Sequence, residues 1–341
     1  MKKLHAVLLV LGAAFLVYLV WKTNLARLRM ELISLGWGLI PIILCEGLAE
    51  LIHTVAWRYC MSGPQRFLPL LHLFRIRMAG YAITYLTPTG PVAGEVTKGA
   101  LLATNHKGTH TVSGLLIERF CLGFAHLLLV IGGGVFILRR IKLPPALWTW
   151  MVISSVLLGG GMIVFLLLQM HGKLGAIIRW LTARKIGGRM LRGIEGNITE
   201  VDETLREYYR ERPRDLWLSV GWHVVGHSVF ILQAWFFLFQ MNQHASLSVA
   251  VGAWFIGMWF DLLTFAVPMN LGTLEGSRIV ALRAVGYNSL LGMTYGVVTR
   301  FAQLFWAAFG LATYTLLASQ AARSVSNRTD LRNRADYQQK P

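Results

Sequence analysis

The chain has 341 residues, of which 55% are hydrophobic and only 14% charged, and it carries a formal net charge of +17; its mean hydropathy is +0.53. A soluble domain carries about 25% charged residues, so a deficit concentrated in long apolar runs excludes an ordinary soluble enzyme. The basic residues lie between those runs, which suits orientation in a bilayer and contact with anionic lipid and argues against a nucleic-acid partner.

In chain order, residues 4–21 follow Lys2 and Lys3, and no small-residue cleavage site precedes Trp21 and Lys22. They read as a retained first span rather than a signal peptide. A span needs about 20 apolar residues, and six runs meet that length: 4–21, 37–56, 115–138, 147–170, 215–240 and 290–318. Two further segments, 67–94 and 247–274, are broken. The first contains Arg75 and Arg77 and is interrupted at Thr87-Pro88-Thr89-Gly90-Pro91; the second contains Asp261 and is interrupted at Pro268-Met269-Asn270-Leu271-Gly272. Such breaks free backbone groups that lipid cannot satisfy, so both segments are predicted to be re-entrant or broken helices facing protein or a watery cavity.

Residues 171–214 form the large polar stretch. Leu174 to Leu191 suits a basic amphipathic helix weakened at Gly187 and Gly188, and a second helix would place Ile198, Val201 and Leu205 on one face. The polar tail after Gln320 is expected to be disordered. The fold class is therefore all-α, a polytopic integral membrane helical bundle with about six full spans and two broken segments. One domain covers 1–320, followed by a basic tail over 321–341.

The chain matches itself at an offset of 180 residues: Pro88 with Pro268, Glu95 with Glu275, and Lys98 with Arg278, while Arg119 falls one short of Arg300. This defines two repeats, about 37–138 and 215–318. Loop charge puts the N-terminus, residues 171–214 and the tail with Arg323, Arg328, Arg332, Arg334 and Lys340 in the cytoplasm, and leaves 241–246, without Lys or Arg, outside. Three full spans then separate the two motifs, 247–274 enters from outside, and the repeats are inverted. Lys22, Arg27, Arg29, Arg139, Arg140 and Lys142 fall outside in this scheme. Opposed repeats with broken segments suit passage of a polar solute between leaflets; a duplicated structural bundle is the alternative.

Charged groups near the bilayer centre cost roughly 2.5–3.5 kcal/mol each. Glu46, Glu50, Glu95, Asp261, Glu275, Arg119 and Arg300 lie in or beside apolar segments, so mutual pairing around a hydrated cavity is expected, with Glu95–Arg119 and Glu275–Arg300 the natural pairs. Glu46, Glu50 and His53 share a helical face. They would line a polar pathway or relay protons, or else pair with Arg58, Arg75 or Arg77. Arg75 and Arg77 suit a phosphate head group, with snorkelling at the membrane edge as the alternative. With the breaks, the candidate substrate contacts are Arg75, Arg77, Pro88, Gly90, Gly94, Glu95, Lys98, Arg119, Asp261, Pro268, Gly272, Glu275, Arg278 and Arg300.

His223 and His227, like His106 and His110, have i, i+4 spacing but no intervening metalloprotease glutamate, so packing or interfacial roles are expected and no metal is assigned. Cys45, Cys60 and Cys121 lack paired spacing. Gly132-Gly133-Gly134 and Gly159-Gly160-Gly161 suggest close helix packing. The tryptophans near span ends suit interfacial anchoring. No serine elbow, phosphate loop or dinucleotide fingerprint is present, and no cofactor is expected.

Pro88-Thr-Gly-Pro-Val-Ala-Gly-Glu95, Glu118-Arg119 at the opening of a span, and Leu271-Gly-Thr-Leu-Glu275 after Pro268 resemble the lysylphosphatidylglycerol synthase transmembrane-region family, also called the flippase-like domain family. The resemblance covers roughly 10–318. It implies a bundle of six to eight spans with re-entrant segments, in a cell inner membrane. Multidomain members are linked to moving aminoacylated phosphatidylglycerol between leaflets. Leu122 stands where members often carry an acidic residue, and the second motif is poorer in glycine than usual. With about 20 residues after the last span, the chain is expected to be a stand-alone member without the aminoacyl-transferase domain. The resemblance also opens hopanoid or other isoprenoid lipids as substrates, and lipid-biosynthesis enzymes as partners.

Three functions follow as expectations. The first is a lipid translocator or lipid-binding transporter, not an enzyme, in which Arg75, Arg77, Lys98 and Arg278 meet an anionic head group. The second is an intramembrane transferase with Glu95 or Asp261 as general base. The third is a non-catalytic scaffold for lipid synthesis.

Overall fold

A computed structural model describes residues 2–87, 90–103, 108–138, 145–184, 198–264 and 267–338. Thr89, His106, Gly187, Gly188, Arg139, Arg140, Lys142 and Lys340 lie outside these residues, as does the candidate Pro88, and the side chains of His110 and of the tail arginines are also outside the description. Among the described residues the secondary structure is helical throughout.

The first half of the chain contributes α1 (Lys2–Lys22), α2 (Leu25–Leu35), α3 (Leu39–Cys60), α4 (Leu70–Leu86), α5 (Gly90–Ala103) and α6 (Gly108–Leu138). Then come α7 (Pro145–Met170), α8 (Leu174–Ala183) and α9 (Ile198–Glu211). The second half contributes α10 (Pro213–Gln240), α11 (Leu247–Leu263), α12 (Thr273–Ala284) and α13 (Ser289–Gln338). Five stretches are long and apolar enough to cross a membrane: Leu25–Cys60, Thr111–Val135, Trp148–Met170, Pro213–Gln240 and Ser289–Gln320. The first expected span is helical over Lys2–Lys22, and its described apolar part is Ala13–Lys22. The chain is a polytopic helical membrane protein. Its outer surface fits that solvent, since residues such as Ile131, Val156, Leu157, Ile163, Phe239, Phe301 and Phe305 are exposed. Trp21, Trp37, Trp150, Trp180 and Trp217 are exposed near helix ends, whereas Trp57, Trp254 and Trp259 are buried inside.

Both broken segments are hairpins. α4 and α11 have 17 residues each, about 25 Å of helix, which falls short of the roughly 30 Å hydrocarbon core. After the break α5 and α12 turn back along them. The first hairpin closes because Gly94 has no side chain: a Cβ there would stand 1.9 Å from Thr84 Oγ1 and 2.6 Å from the Gly80 carbonyl. The second turns through Met269 (φ 58°), Asn270 (φ 47°) and Gly272 (φ 74°). Two consecutive non-glycine residues in the left-handed region are costly, and Arg300 clamps both of their carbonyls.

The halves correspond element by element, α3 through α6 with α10 through α13. The equivalent helices α3 and α10 pack antiparallel: Gln233 Nε2 donates to the Ile42 carbonyl at 3.0 Å, His53 meets His223, and Cys60 Sγ lies 3.1 Å from Ser219 Oγ. Reciprocal contacts follow. α4 packs on α13, where a Cβ on Gly310 would meet the Met78 carbonyl at 2.1 Å, and α11 packs on α6, where one on Gly133 would meet Phe255 at 2.6 Å. Antiparallel equivalents with exchanged partners are the geometry of an inverted repeat.

α9 closes one end of the bundle. Ile198, Val201, Leu205 and Tyr208 are buried with Trp57, Phe120 and Cys121, so the predicted apolar face packs on protein. α8 realises the start of the expected basic amphipathic helix. Three expectations change. α2 was not anticipated; its Leu28 and Leu35 are buried although Arg27, Arg29 and Glu31 interrupt the apolar run. The tail is helical to Gln338, because neither glycine nor proline occurs between Gly310 and Pro341 to stop it. The glycine triplets mostly do not mediate close packing. Gly133 does, but Gly132, Gly160 and Gly161 have nothing within 4 Å of a Cβ.

Candidate functional site

The apolar helices bring their charges inward into three groups. In the first half, Arg77 lies 2.6 Å from Glu50 and 2.8 Å from Glu118; Lys98 lies 2.8 Å from Glu95 and 3.2 Å from Glu118; and Arg119 bonds Glu95. Three carboxylates and three bases from α3, α4, α5 and α6 thus form one neutral network. Lys98 also stands over the Trp57 ring, 4.9 Å from its centroid. Breaking one member of a buried pair costs about 3–5 kcal/mol, so the network holds the first hairpin in place.

In the second half, Arg300 on α13 bonds Glu275 on α12 through both carboxylate oxygens. It also donates to the Met269 carbonyl at 3.1 Å, the Asn270 carbonyl at 2.9 Å and Tyr85 Oη at 3.0 Å. One guanidinium thereby satisfies carbonyls freed by the break, holds the left-handed turn, and ties the second hairpin to α4 of the first half. Both sequence-expected pairs, Glu95–Arg119 and Glu275–Arg300, form, but they differ in access. Glu275 and Arg300 side chains are 1% and 14% exposed, against 19% and 37% for Glu95 and Arg119.

The third group lines a cavity of about 180 Å³ between the halves. Glu46 comes from α3, His126 from α6, His227 and Gln233 from α10, Asp261 from α11, Arg278 from α12, and Tyr295, Thr299 and Gln303 from α13. Asp261 accepts from Arg278 at 2.8 Å and from Ser277 at 3.0 Å. Glu46 has no cationic partner among the described residues; Tyr81 Oη donates to its Oε1 at 3.3 Å. Five buried atoms of the lining lack a hydrogen-bond partner there: Glu46 Oε2, His126 Nε2, His227 Nε2, Thr299 Oγ1 and Gln303 Oε1. Buried polar atoms are normally satisfied, and here five of them face one enclosed space. At about 30 Å³ per water, its volume holds a few waters or part of a head group.

One turn along α6 from His126, Val130 faces a different space. A groove of about 520 Å³, almost wholly apolar, runs between α6, α7 and α11 past Val130, Gly134, Val156, Gly160, Ile163 and Phe255. Gly134, Gly159 and Gly160 hollow it out. Phe255 on the groove adjoins Trp254 in the cavity lining, so the two spaces lie on either side of one helix seam.

Of the candidate residues, Arg278 and Asp261 line the cavity together with Glu46. Glu50, Arg77, Lys98, Glu95 and Arg119 form the first network, and Glu275 and Arg300 the second lock. His53 lies between α3 and α10. Arg75 is exposed on the other side of α4 from Arg77, outside the cavity lining. Gly90 (φ 42°), Gly94 and Gly272 shape the hairpins, and Pro268 opens a one-turn 3₁₀ helix. Glu118, fully buried at the centre of the first network and ten residues into α6, is part of the Glu118-Arg119 motif in the sequence but not a member of the expected charge set. The convergence of His53, His126, His223 and His227 was also not anticipated.

Inverted halves, broken hairpins and buried charge around a central cavity define a polytopic helical membrane protein with a polar interior. The chain belongs to the family described as the lysylphosphatidylglycerol synthase TM region, whose model matches residues 5–310. It is thus a membrane-lipid-related protein. No curated protein and no solved structure matches it.

Proposed function

We propose that the protein moves a head-group-bearing phospholipid or isoprenoid lipid between the leaflets of the cytoplasmic membrane by binding rather than by chemistry. The observation that carries this reading is the pairing of a polar cavity with five unpartnered atoms and an apolar groove across one seam of α6 and α11. An amphiphile fits that pair, with its chain in the groove and its head in the cavity. Arg278 is the cation of the lining, and a phosphate would compete with Asp261 for its guanidinium. The unpartnered oxygens favour a head that also offers hydroxyl or amine donors.

The two Glu–Arg locks serve as gates. Glu275–Arg300 is closed and anchored to backbone, whereas Glu95–Arg119 is open to its surroundings. A ligand shifts such an equilibrium only through its differential affinity for the two states. An anionic head replacing Glu95 on Arg119 supplies that difference, and inverted halves allow the gates to exchange roles. Lipid-synthesis enzymes are natural partners for delivery.

Leaflet exchange in proteoliposomes tests this. A fluorescent phospholipid analogue should become accessible to an external quencher faster with wild-type protein than in protein-free vesicles. Glu95→Gln and Glu275→Gln should each abolish the gain while still inserting. Unaltered exchange in both variants removes the gating mechanism. A chemically modified lipid would point to a transferase, and variants that change stability without changing lipid distribution would point to a scaffold.

A further inference from the structure

Four histidines, His53 and His223 buried and His126 and His227 half-buried, occupy the seam between the halves, and neither the gates nor the head-group reading uses them as a set. His53 Nδ1 on α3 lies 2.8 Å from His223 Nδ1 on α10. The His53 ring is 4.8 Å, centroid to centroid, from His227, and His227 is 5.2 Å from His126 on α6. The seat is built for this arrangement: a Cβ on Gly226 would stand 2.6 Å from the His53 ring, so only a glycine on α10 admits the imidazole between His223 and His227. Two Nδ1 atoms at 2.8 Å are satisfied only when one carries the proton and the other accepts it. His126, His223 and His227 each retain an unpartnered Nε2. Each of these three rings thus has a nitrogen free to take a proton as the other releases one.

The ends of this histidine chain differ in charge. At one end His223 faces Glu118 of α6, Arg77 of α4 and Lys98 of α5, and His53 faces Arg77 and Glu118. That network is neutral, and its cations oppose a resting imidazolium. At the other end His126 faces Asp261 of α11, and His126 and His227 share the cavity with Glu46 and Arg278. There two carboxyl groups stand against one guanidinium, and Asp261 holds it, so Glu46 is the acid of the cavity without an ion-pair partner among the described residues.

We propose that His223, His53, His227 and His126 form a proton route from the Glu118 network, which water reaches at the half-exposed Glu95–Arg119 pair, to the cavity, where the Glu46 carboxylate takes up the proton and releases it to water. Each imidazole accepts a proton on one nitrogen and releases one from the other, so no ring is consumed and no charge is created. Protonated Glu46 leaves the cavity formally neutral, which removes the repulsion against an anionic head approaching Arg278. This coupling rests on the translocation reading above; the route itself does not.

The test uses wild-type protein reconstituted in phosphatidylethanolamine and phosphatidylglycerol vesicles that contain a trapped pH-sensitive dye, with an inside-negative potential set by a potassium gradient and valinomycin. Wild-type vesicles should acidify inside faster than protein-free ones, and His223→Gln and His126→Gln should each slow uptake roughly tenfold. Lipid exchange in the same His223→Gln vesicles, at equal pH and without a potential, should persist, which also shows that the variant is folded. Wild-type uptake no faster than in protein-free vesicles, or uptake unchanged in both variants, overturns the route. Proton uptake without any lipid exchange by the wild type would instead sink the translocation reading and leave the route standing.

Discussion

Glu46 and Glu118 are both buried carboxylates on apolar helices, yet their partners differ. Glu118 holds Arg77 and Lys98, whereas Glu46 meets a tyrosine hydroxyl and faces a cavity. Glu118→Gln leaves two buried cations short of an anion and should cost about 3–5 kcal/mol, seen as a lowered unfolding temperature in detergent. Glu46→Gln removes a carboxyl without an ion-pair partner and should cost less than Glu118→Gln, while slowing proton uptake and leaving lipid exchange in place. Equal destabilisation by the two would contradict the distinction between structural network and binding cavity. Glu95–Arg119 and Glu275–Arg300 were legible in the sequence because each pair joins a hairpin to its following helix within one repeat. The histidine convergence was not legible, because it depends on the antiparallel register of α3 against α10, and no local spacing encodes that register.

The same contrast holds for the helices. The breaks at Gly90 and Pro268 could be read directly, since proline and glycine clustered inside an apolar run leave backbone groups that only protein or water can satisfy. The glycine triplets were misleading, because an absent side chain permits either close approach or a hollow, and only the neighbouring helix decides. These two uses predict opposite phenotypes. Gly94→Ala drives a methyl into Thr84 and the Gly80 carbonyl; overpacking of this kind costs about 1–3 kcal/mol or more, so the variant should give a lower yield of folded protein and a lower unfolding temperature. Gly160→Leu fills open space in the groove and should leave unfolding unchanged while slowing lipid exchange roughly tenfold, if acyl-chain seating contributes about 1.4 kcal/mol. Gly161→Leu, next to it but outside the groove lining, is the control. Equal exchange in Gly160→Leu and Gly161→Leu would remove the groove from the mechanism.

Across the whole molecule, two inverted halves enclose a cavity that neither could form alone: Glu46 and His126 come from one, and His227, Gln233, Asp261, Arg278, Tyr295, Thr299 and Gln303 from the other. The repeat was readable as four polar matches. The inequality of the halves was not, because Glu275–Arg300 and Glu95–Arg119 are the same residue types in the same order and differ only in burial and in the carbonyls that Arg300 collects. The central claim is that one amphiphile occupies cavity and groove together. Photo-crosslinking with a phospholipid carrying one reactive group on its head and, in a parallel probe, one on its acyl chain tests it most directly. The head probe should label the cavity lining around Gln303 and Tyr295, and the chain probe should label the groove around Val156 and Ile163. Chain labelling spread evenly over the outer helices, with the cavity unlabelled by the head probe, would contradict the account.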